Sequence, residues 1–183
     1  MAVEYPGYSL NKYTTASEDS ILKDAERVIN FLVSDLLIPL SKIILLGRSI
    51  GCGPATYIAT RFCVKGLILI SPFASLEKLM GDLLGIWGKT LVKNRFDNQQ
   101  RVKEIKCPLL LLHGQSDNLI PSSHSALLYQ NSVTFTELYI HNSMTHSELN
   151  YQVHLLDPII SFFQKIGFQS SPQPIHFPKY LFD

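Results

Sequence analysis

Four short runs rich in Ile, Leu and Val recur along the chain, at residues 42–46, 66–70, 108–113 and 133–140. Apolar runs of this length are typical of strands that are buried on both faces of a parallel sheet. Such a sheet must be covered by helices on each face, because its strands offer no polar side to water. These runs therefore constrain the fold more than any other feature of the sequence.

Segments with helical spacing separate the apolar runs. From Ile21 to Leu32, apolar residues recur at i, i+4, i+7, i+8 and i+11, which predicts an amphipathic helix with Ser17 near its start as a cap. Further helices are predicted at residues 50–63, 122–129 and 151–166. Strand and helix in alternation predict an α/β fold, with a mostly parallel sheet flanked by helices and right-handed crossovers.

The composition limits the classes of protein to consider. The chain has 183 residues, 46% hydrophobic, with a formal net charge of +1 and three widely spaced cysteines. This length predicts one domain, at 1–166, followed by a tail at 167–183. The charge gives no reason to expect nucleic acid or an anionic membrane as a partner, and the cysteines form no disulfide or zinc pattern. With neither a signal peptide nor a transmembrane segment expected, we predict a cytoplasmic protein.

Residues 47–51 have the sequence Gly-Arg-Ser-Ile-Gly, directly after a predicted buried strand and before a predicted helix. In such a G-x-S-x-G turn, the glycines lack the Cβ atoms that would collide with the strand and the helix. Ser49 is therefore the candidate nucleophile, and the N–H of Ile50 is the candidate oxyanion donor. The alternatives are a loop that merely packs and a phosphate-binding loop, although neither the dinucleotide fingerprint nor the Walker pattern fits.

A serine nucleophile needs a base, and the base needs an orienting carboxylate. Asp117 follows the third predicted strand, and His146 lies between the fourth strand and the last helix. Like Ser49, both lie at the carboxyl ends of predicted parallel strands, where catalytic groups of open α/β sheets gather. An Asx turn explains Asp117 as well as a catalytic role does, and the alternative interpretation of His146 is a solvent-facing loop residue. His141 competes with His146 as the base, whereas we expect His113 to be structural.

The sequence resembles the alpha/beta hydrolase superfamily and, within it, the intracellular alpha/beta hydrolase domain-containing palmitoyl-protein depalmitoylases. The segments that carry the resemblance are 5–8, 17–18 with Asp24, 47–51, 70–73, 113–117 with 120–121, and 144–146. The resemblance implies Ser49 as nucleophile, Asp117 as orienting carboxylate and His146 as base. It also implies hydrolysis of an ester or thioester through an acyl-enzyme, without metal or organic cofactor, on a small-molecule or acylated-protein substrate.

The start of the chain departs from this family. Its members usually begin with three more strands, and a His-Gly loop after the third supplies a second oxyanion N–H. Residues 2–5 would match their fourth strand, so we expect an alpha/beta hydrolase fold truncated at the N-terminus. These residues are expected either to pair beside the strand at 43–46 or to leave its edge open to association. We expect no counterpart of the cysteine-rich N-terminus that attaches such depalmitoylases to membranes, and a peripheral position at membranes stays open.

A long excursion at 73–98 separates the second and third predicted strands. Apolar residues from Leu76 to Trp87 follow helical spacing, which predicts a short amphipathic helix. This helix is expected either to roof the site or to pack on the core. Three functions stay open at this point: a serine hydrolase, a catalytically impaired hydrolase-like interaction domain, and a small-molecule binding module that uses the turn at 47–51 as an anion site.

Overall fold

A four-stranded parallel sheet forms the centre of the molecule. The structure is a computed structural model that describes residues 1–8, 11–92 and 95–169. The strands are β1 (Ile44–Arg48), β2 (Gly66–Ile70), β3 (Leu109–Gly114) and β4 (Thr136–His141). They lie in the order β1-β2-β3-β4, and every pair is parallel. The fold class and all four strands predicted from the apolar runs are confirmed, with end points that differ by up to three residues.

Helices connect the strands, as the alternating pattern predicts. They are α1 (Glu18–Asn30), α2 (Cys52–Arg61), α3 (Leu76–Leu84), α4 (Ile86–Leu91), α5 (Asn98–Arg101), α6 (Ser123–Asn131) and α7 (Asp157–Lys165). Helix α1 begins at a capping box in which Ser17 accepts from the N–H of Ser20 and Ser20 accepts from that of Ser17. Two π-helical segments adjoin α-helices, Phe31–Asp35 after α1 and Tyr151–Leu156 before α7, so the predicted helix at 151–166 is part π-helix and part α-helix.

The core lies on both faces of the sheet. Every residue of β2 and β3 is buried. Leu67 and Leu69 of β2 pack in one cluster with residues of α1, α2 and α6, whereas Ile68 and Ile70 pack on the other face with Phe162 of α7. Each such side chain contributes about 1.5–3 kcal/mol of burial free energy. The two central strands thus fix the carboxyl edge of the sheet in place.

The prediction of a strand at residues 2–5 is wrong. These residues carry no strand assignment. The chain turns directly after them, since Gly7 has φ +83° and the N–H of Tyr8 donates to the carbonyl of Tyr5 at 3.1 Å. Val3 and Tyr5 contribute side chains instead, lining an apolar cavity of about 110 Å³ with α1, α2 and β1. Among the described residues, β1 pairs only with β2.

The excursion contains two helices where the sequence predicts one. The break falls at Gly85, which has φ +68°, so α3 and α4 form a hairpin. Leu79 of α3 is buried in a cluster with Phe73 and Phe96. The tail predicted at 167–183 lies outside the described residues from 170 onward. No helix in the described ranges is both long and apolar enough to cross a bilayer.

Candidate active site

Ser49 occupies a strained turn between β1 and α2. Its φ is +52°, a left-handed value that a non-glycine residue adopts only where the surroundings enforce it. The enforcement comes from packing at Gly47, where an added Cβ would lie 2.6 Å from the carbonyl oxygen of Gly51 and 2.8 Å from the Cα of Cys52. The G-x-S-x-G pattern therefore forms the sharp turn that the sequence predicts, with Ser49 half-buried at its top.

The helix after Ser49 begins as a tight turn. The 3-10 segment Ser49–Gly51 runs directly into α2. Ile50 lies in this first turn, where backbone N–H groups have no acceptor within the helix and the helix dipole favours negative charge. The nearby thiol of Cys52 is fully buried and donates to the carbonyl of Ile70 at 3.5 Å. Burial raises the pKa of Cys52, so its thiol is not a competing nucleophile.

Asp117 lies in the loop that follows β3 and is 6% exposed. Its Oδ1 accepts from the N–H of Leu119 at 3.0 Å and of Ile120 at 2.9 Å, and its Oδ2 accepts from Nδ1 of His146 at 2.9 Å. Burial alone would raise the pKa of this carboxyl, but the hydrogen bonds from Ile120 and His146 outweigh burial and hold the pKa below its usual value. Asp117 therefore closes the local turn with one oxygen and orients His146 with the other.

His146 lies in the loop after β4, beside a cavity of about 280 Å³ that Asn118, Leu119 and Thr145 also line. Its side chain is 18% exposed. Because a carboxylate only accepts hydrogen bonds, the neutral tautomer that fits this contact has its proton on Nδ1 of His146 and its lone pair on Nε2. Thr145 fixes this loop, since its N–H donates to the carbonyl of Glu148 and its Oγ1 accepts from the Glu148 N–H.

Arg48 connects the Ser49 turn to the histidine loop. Its guanidinium donates to the main-chain carbonyl of His146 at 2.6 Å, across 98 positions of sequence. Arg48, directly before Ser49, therefore holds the backbone of His146, the residue that pairs with Asp117. No sequence pattern predicts this contact, because an arginine at the variable position of G-x-S-x-G carries no signal of its partner.

The other histidines near the site have structural roles. His113 is fully buried: its Nε2–H donates to the carbonyl of Ile120 at 2.8 Å, and its Nδ1 accepts from Ser125 at 2.6 Å. Burial lowers its pKa, so the ring is neutral and braces the Asp117 loop, as expected. The ring of His141 packs on that of His154 with centroids 4.9 Å apart, and burial lowers its pKa as well.

Ser71 is a second residue near the site that no sequence pattern predicts by itself. It directly follows β2, is fully buried and has φ +46°. Its hydroxyl has no hydrogen-bond partner among the described residues and contributes only a minor part of the lowered pKa of Asp117. Its position between the ends of β1 and β3 follows from the sheet order. In the described part of the chain, His, Cys, Asp and Glu side chains form no group of three that could hold a metal ion.

Comparison with known proteins agrees with this architecture. No protein-family model matches the chain. It is 29% identical over 161 residues to alpha/beta hydrolase domain-containing protein aho-3 of Caenorhabditis elegans, covering 87% of this chain and 47% of that protein. It is 26% identical over 160 residues to alpha/beta hydrolase domain-containing protein 17C of Xenopus tropicalis, covering 87% of this chain and 50% of that protein.

A solved structure shows the same fold. Acetyl xylan esterase 1 from Thermoanaerobacterium sp. JW/SL YS485 superposes with a TM-score of 0.62 at 18% identity, over 80% of this chain and 52% of that chain. The parallel sheet, its covering helices and the strained serine turn thus define part of an alpha/beta hydrolase fold. With the curated relatives, they place the chain in the alpha/beta hydrolase superfamily. The chain spans about half the length of the curated relatives it matches.

Proposed function

We propose that this chain carries the catalytic triad of a serine hydrolase that cleaves an ester or thioester through an acyl-enzyme. In this proposal Ser49 is the nucleophile, His146 the general base and Asp117 the group that orients the base. The N–H of Ile50 stabilises the oxyanion. All three side chains follow the carboxyl ends of parallel strands, at the edge where an open α/β sheet holds its catalytic groups.

The hydrogen bond of 2.9 Å between Nδ1 of His146 and Oδ2 of Asp117 is the observation that carries the proposal. It selects the imidazole tautomer whose Nε2 accepts a proton, and the buried carboxylate stabilises the imidazolium that then forms. Because the pKa of Asp117 lies below its usual value, this carboxylate stays ionised at neutral pH. His146 therefore faces the reaction as a base.

The reaction follows from these roles in two balanced halves. Oγ of Ser49 attacks the acyl carbon while its proton passes to Nε2 of His146, and the carbonyl oxygen becomes an oxyanion at the N–H of Ile50. The intermediate collapses, breaking the bond to the leaving alcohol or thiol, which takes the proton back from His146. Water then attacks the acyl-enzyme with His146 again as base, releasing the acid and restoring Ser49.

The acyl substrate we propose is a fatty-acyl thioester on a protein. This choice follows the resemblance to the depalmitoylase branch, since a triad by itself does not encode the acyl chain. The near-zero net charge agrees with an uncharged acyl group rather than a polyanion as the ligand. We propose the cytoplasm as the location of the protein, because protein thioesters of this kind face the cytoplasm.

Turnover of p-nitrophenyl butyrate and of an S-butyryl thioester tests the proposal. We expect hydrolysis of both by the wild-type chain, and a loss of about 10⁴-fold or more in kcat for Ser49→Ala and for His146→Ala, because triad members act as a unit. His141→Ala is the matched control, since it removes the competing histidine and is expected to keep turnover of the wild-type order.

Two results would overturn the assignment. Loss of activity in His141→Ala but not in His146→Ala would mean that the base is misassigned. Equal rates for the wild type and Ser49→Ala would exclude Ser49 as the nucleophile. Equal rates that do not exceed the uncatalysed reaction would favour the interaction-domain hypothesis for this chain.

A further inference from the structure

A cavity of about 280 Å³ lies beside His146, and Asn118, Leu119, Thr145 and Ser147 complete its lining. It is called the His146 cavity below. In the proposed reaction His146 returns its proton to the leaving group, so the leaving atom must come within a hydrogen bond of its Nε2. The part of the substrate that departs therefore passes next to the two loops that line this cavity.

The loops that line the His146 cavity are fixed by hydrogen bonds. Asp117 holds the first loop, since its Oδ1 accepts from the N–H of Leu119 at 3.0 Å. The hydroxyl of Ser116 donates to the carbonyl of Asn142 at 2.8 Å, which joins this loop to the one that carries His146. Because the walls are ordered before a ligand arrives, binding there costs little conformational entropy.

Two polar side chains in the lining have hydrogen-bonding capacity to spare. The hydroxyl of Thr145 is engaged, since it accepts from the N–H of Glu148 at 2.9 Å and donates to the Glu148 carbonyl at 3.4 Å. Asn118 and Ser147 are exposed, and within the described ranges their side chains have no hydrogen-bond partner. A carboxamide and a hydroxyl thus face the cavity, and each can both donate and accept.

The chemistry of this lining selects an uncharged, hydrogen-bonding leaving group. A carboxylate or phosphate would meet no lysine or arginine among the lining residues, and an alkyl chain would take water from Asn118 and Ser147 without replacing its hydrogen bonds. A peptide group has one N–H donor and one carbonyl acceptor, the complement of the Asn118 carboxamide. The cavity is near the lower end of the roughly 300–1,000 Å³ of small-ligand sites, so it fits a residue-sized group.

We propose, on the basis of the proposed hydrolase function, that Asn118 and Ser147 are specificity-determining residues that bind the peptide backbone of an acylated cysteine. Asn118 directly follows Asp117, and Ser147 directly follows His146. Peptide groups held by these two side chains place the cysteine sulfur beside Nε2 of His146, where it takes up the proton. The enzyme therefore recognises the peptide that leaves as well as the acyl group that stays on the serine.

Two thioesters with the same butyryl group test this recognition. One is the S-butyryl derivative of N-acetylcysteine methylamide, which has two peptide groups, and the other is S-butyryl hexanethiol, which has none. We expect Asn118→Leu and Ser147→Ala each to lower kcat/KM for the cysteine thioester about tenfold, mainly through KM, because each removes a hydrogen bond to the bound leaving group. For the hexanethiol thioester we expect a change of less than about twofold.

The controls are chosen to separate recognition from folding. Ser147→Thr keeps a hydroxyl and is expected to retain most of the activity on the cysteine thioester. Asn142→Leu removes an exposed carboxamide from the same loop as His146 but outside the cavity lining, and is expected to hydrolyse both thioesters as the wild type does. Comparing variants on each substrate cancels the different intrinsic reactivities of the two thioesters, and thermal unfolding verifies that every variant folds.

A binding measurement without turnover distinguishes this proposal from the proposed function. The ¹⁵N-labelled Ser49→Ala variant is titrated with N-acetyl-S-methylcysteine methylamide, which has the peptide groups but no acyl group. We expect NMR shifts of the side-chain amide of Asn118 and of the backbone amides at 145–147. Adding Asn118→Leu is expected to reduce the shifts at 145–147.

Equal losses on both thioesters in Asn118→Leu and Ser147→Ala would refute the proposal, because they would mean a structural role. Unchanged kcat/KM on the cysteine thioester, or an unshifted NMR spectrum, would refute it as well. If the wild type hydrolyses neither thioester faster than Ser49→Ala while the NMR shifts are present, the proposed hydrolase function fails and the peptide-binding role of the cavity is supported.

Discussion

Acid is expected to destabilise the fold through His124. The side chain of His124 is fully buried, its Nδ1 accepts from the N–H of Ala74, and its Nε2 lies beside Asp82. Burial lowers the pKa of His124 to about 4 from the ordinary value of 6.5, although the Asp82 carboxylate partly opposes this shift. The unfolded chain therefore binds a proton at His124 between about pH 6.5 and pH 4, while the folded chain does not.

The magnitude follows from the two pKa values. Stability falls as pH drops wherever the unfolded state binds more protons, so the contribution of His124 is complete above about pH 6.5. Between pH 7.5 and pH 5 the free energy of unfolding is expected to fall by about 2 kcal/mol from His124 alone. His113 and His141, whose pKa values burial also lowers, add to the fall in the same direction.

Urea unfolding at pH 7.5 and pH 5 measures this loss. In His124→Asn, whose amide oxygen can still accept from the Ala74 N–H, the pH-dependent loss is expected to shrink by about 2 kcal/mol while part of it remains from the other histidines. The absolute stability at pH 7.5 falls as well, because the smaller side chain leaves a cavity. An identical pH-dependent loss in the wild type and His124→Asn would refute the reasoning.

Three further substitutions probe the site. Gly47→Ala is expected to destabilise the fold by about 1–3 kcal/mol and to abolish esterase turnover, because the added Cβ would collide with backbone atoms. The control is Gly66→Ala, whose Cβ would meet only side-chain atoms, and it should unfold in urea like the wild type. Asp117→Asn is expected to lower kcat about 10⁴-fold in the ester assay with an unchanged fold by circular dichroism, because His146 then loses the tautomer of the base. Arg48→Met, which frees the carbonyl of His146, should lower kcat about tenfold, and an unchanged kcat would exclude Arg48 as a positioning residue.

The strands and the serine turn could be predicted because local sequence determines them. The run Leu109 to Leu112 has no polar residue, and such a run is stable only between two layers of helices, where the structure places it. The glycines of the turn at 47–51 are similarly informative, since a Cβ at Gly47 has no room. In both cases the constraint lies within a few neighbouring residues.

The excursion and the N-terminal segment were harder to predict. The helical spacing from Leu76 to Trp87 continues through Gly85, so periodicity alone does not show that the helix breaks there and reverses. Residues 2–5 have the composition of a strand, but pairing depends on a partner edge that the sequence does not specify. In the structure Val3 and Tyr5 line an apolar cavity with α1 and α2 instead.

Within the site, the residues that could be predicted are those in the loops that follow the carboxyl ends of strands. Asp117 and His146 follow β3 and β4, and the structure brings them to within a hydrogen bond of each other. Arg48 and Ser71 act through contacts between segments that lie far apart in the chain, which no local pattern encodes. His124 likewise had no sequence context, because its partners belong to the excursion.

Labelling with a fluorophosphonate probe, followed by peptide mass spectrometry, tests the assignment of the nucleophile most directly. The probe phosphonylates a serine only where a neighbouring base activates it. We expect a single adduct on the peptide that contains Ser49, with labelling lost in Ser49→Ala and strongly reduced in His146→Ala. Labelling of Ser49→Ala to the same extent as the wild type, or an adduct on another serine, would contradict the proposed site.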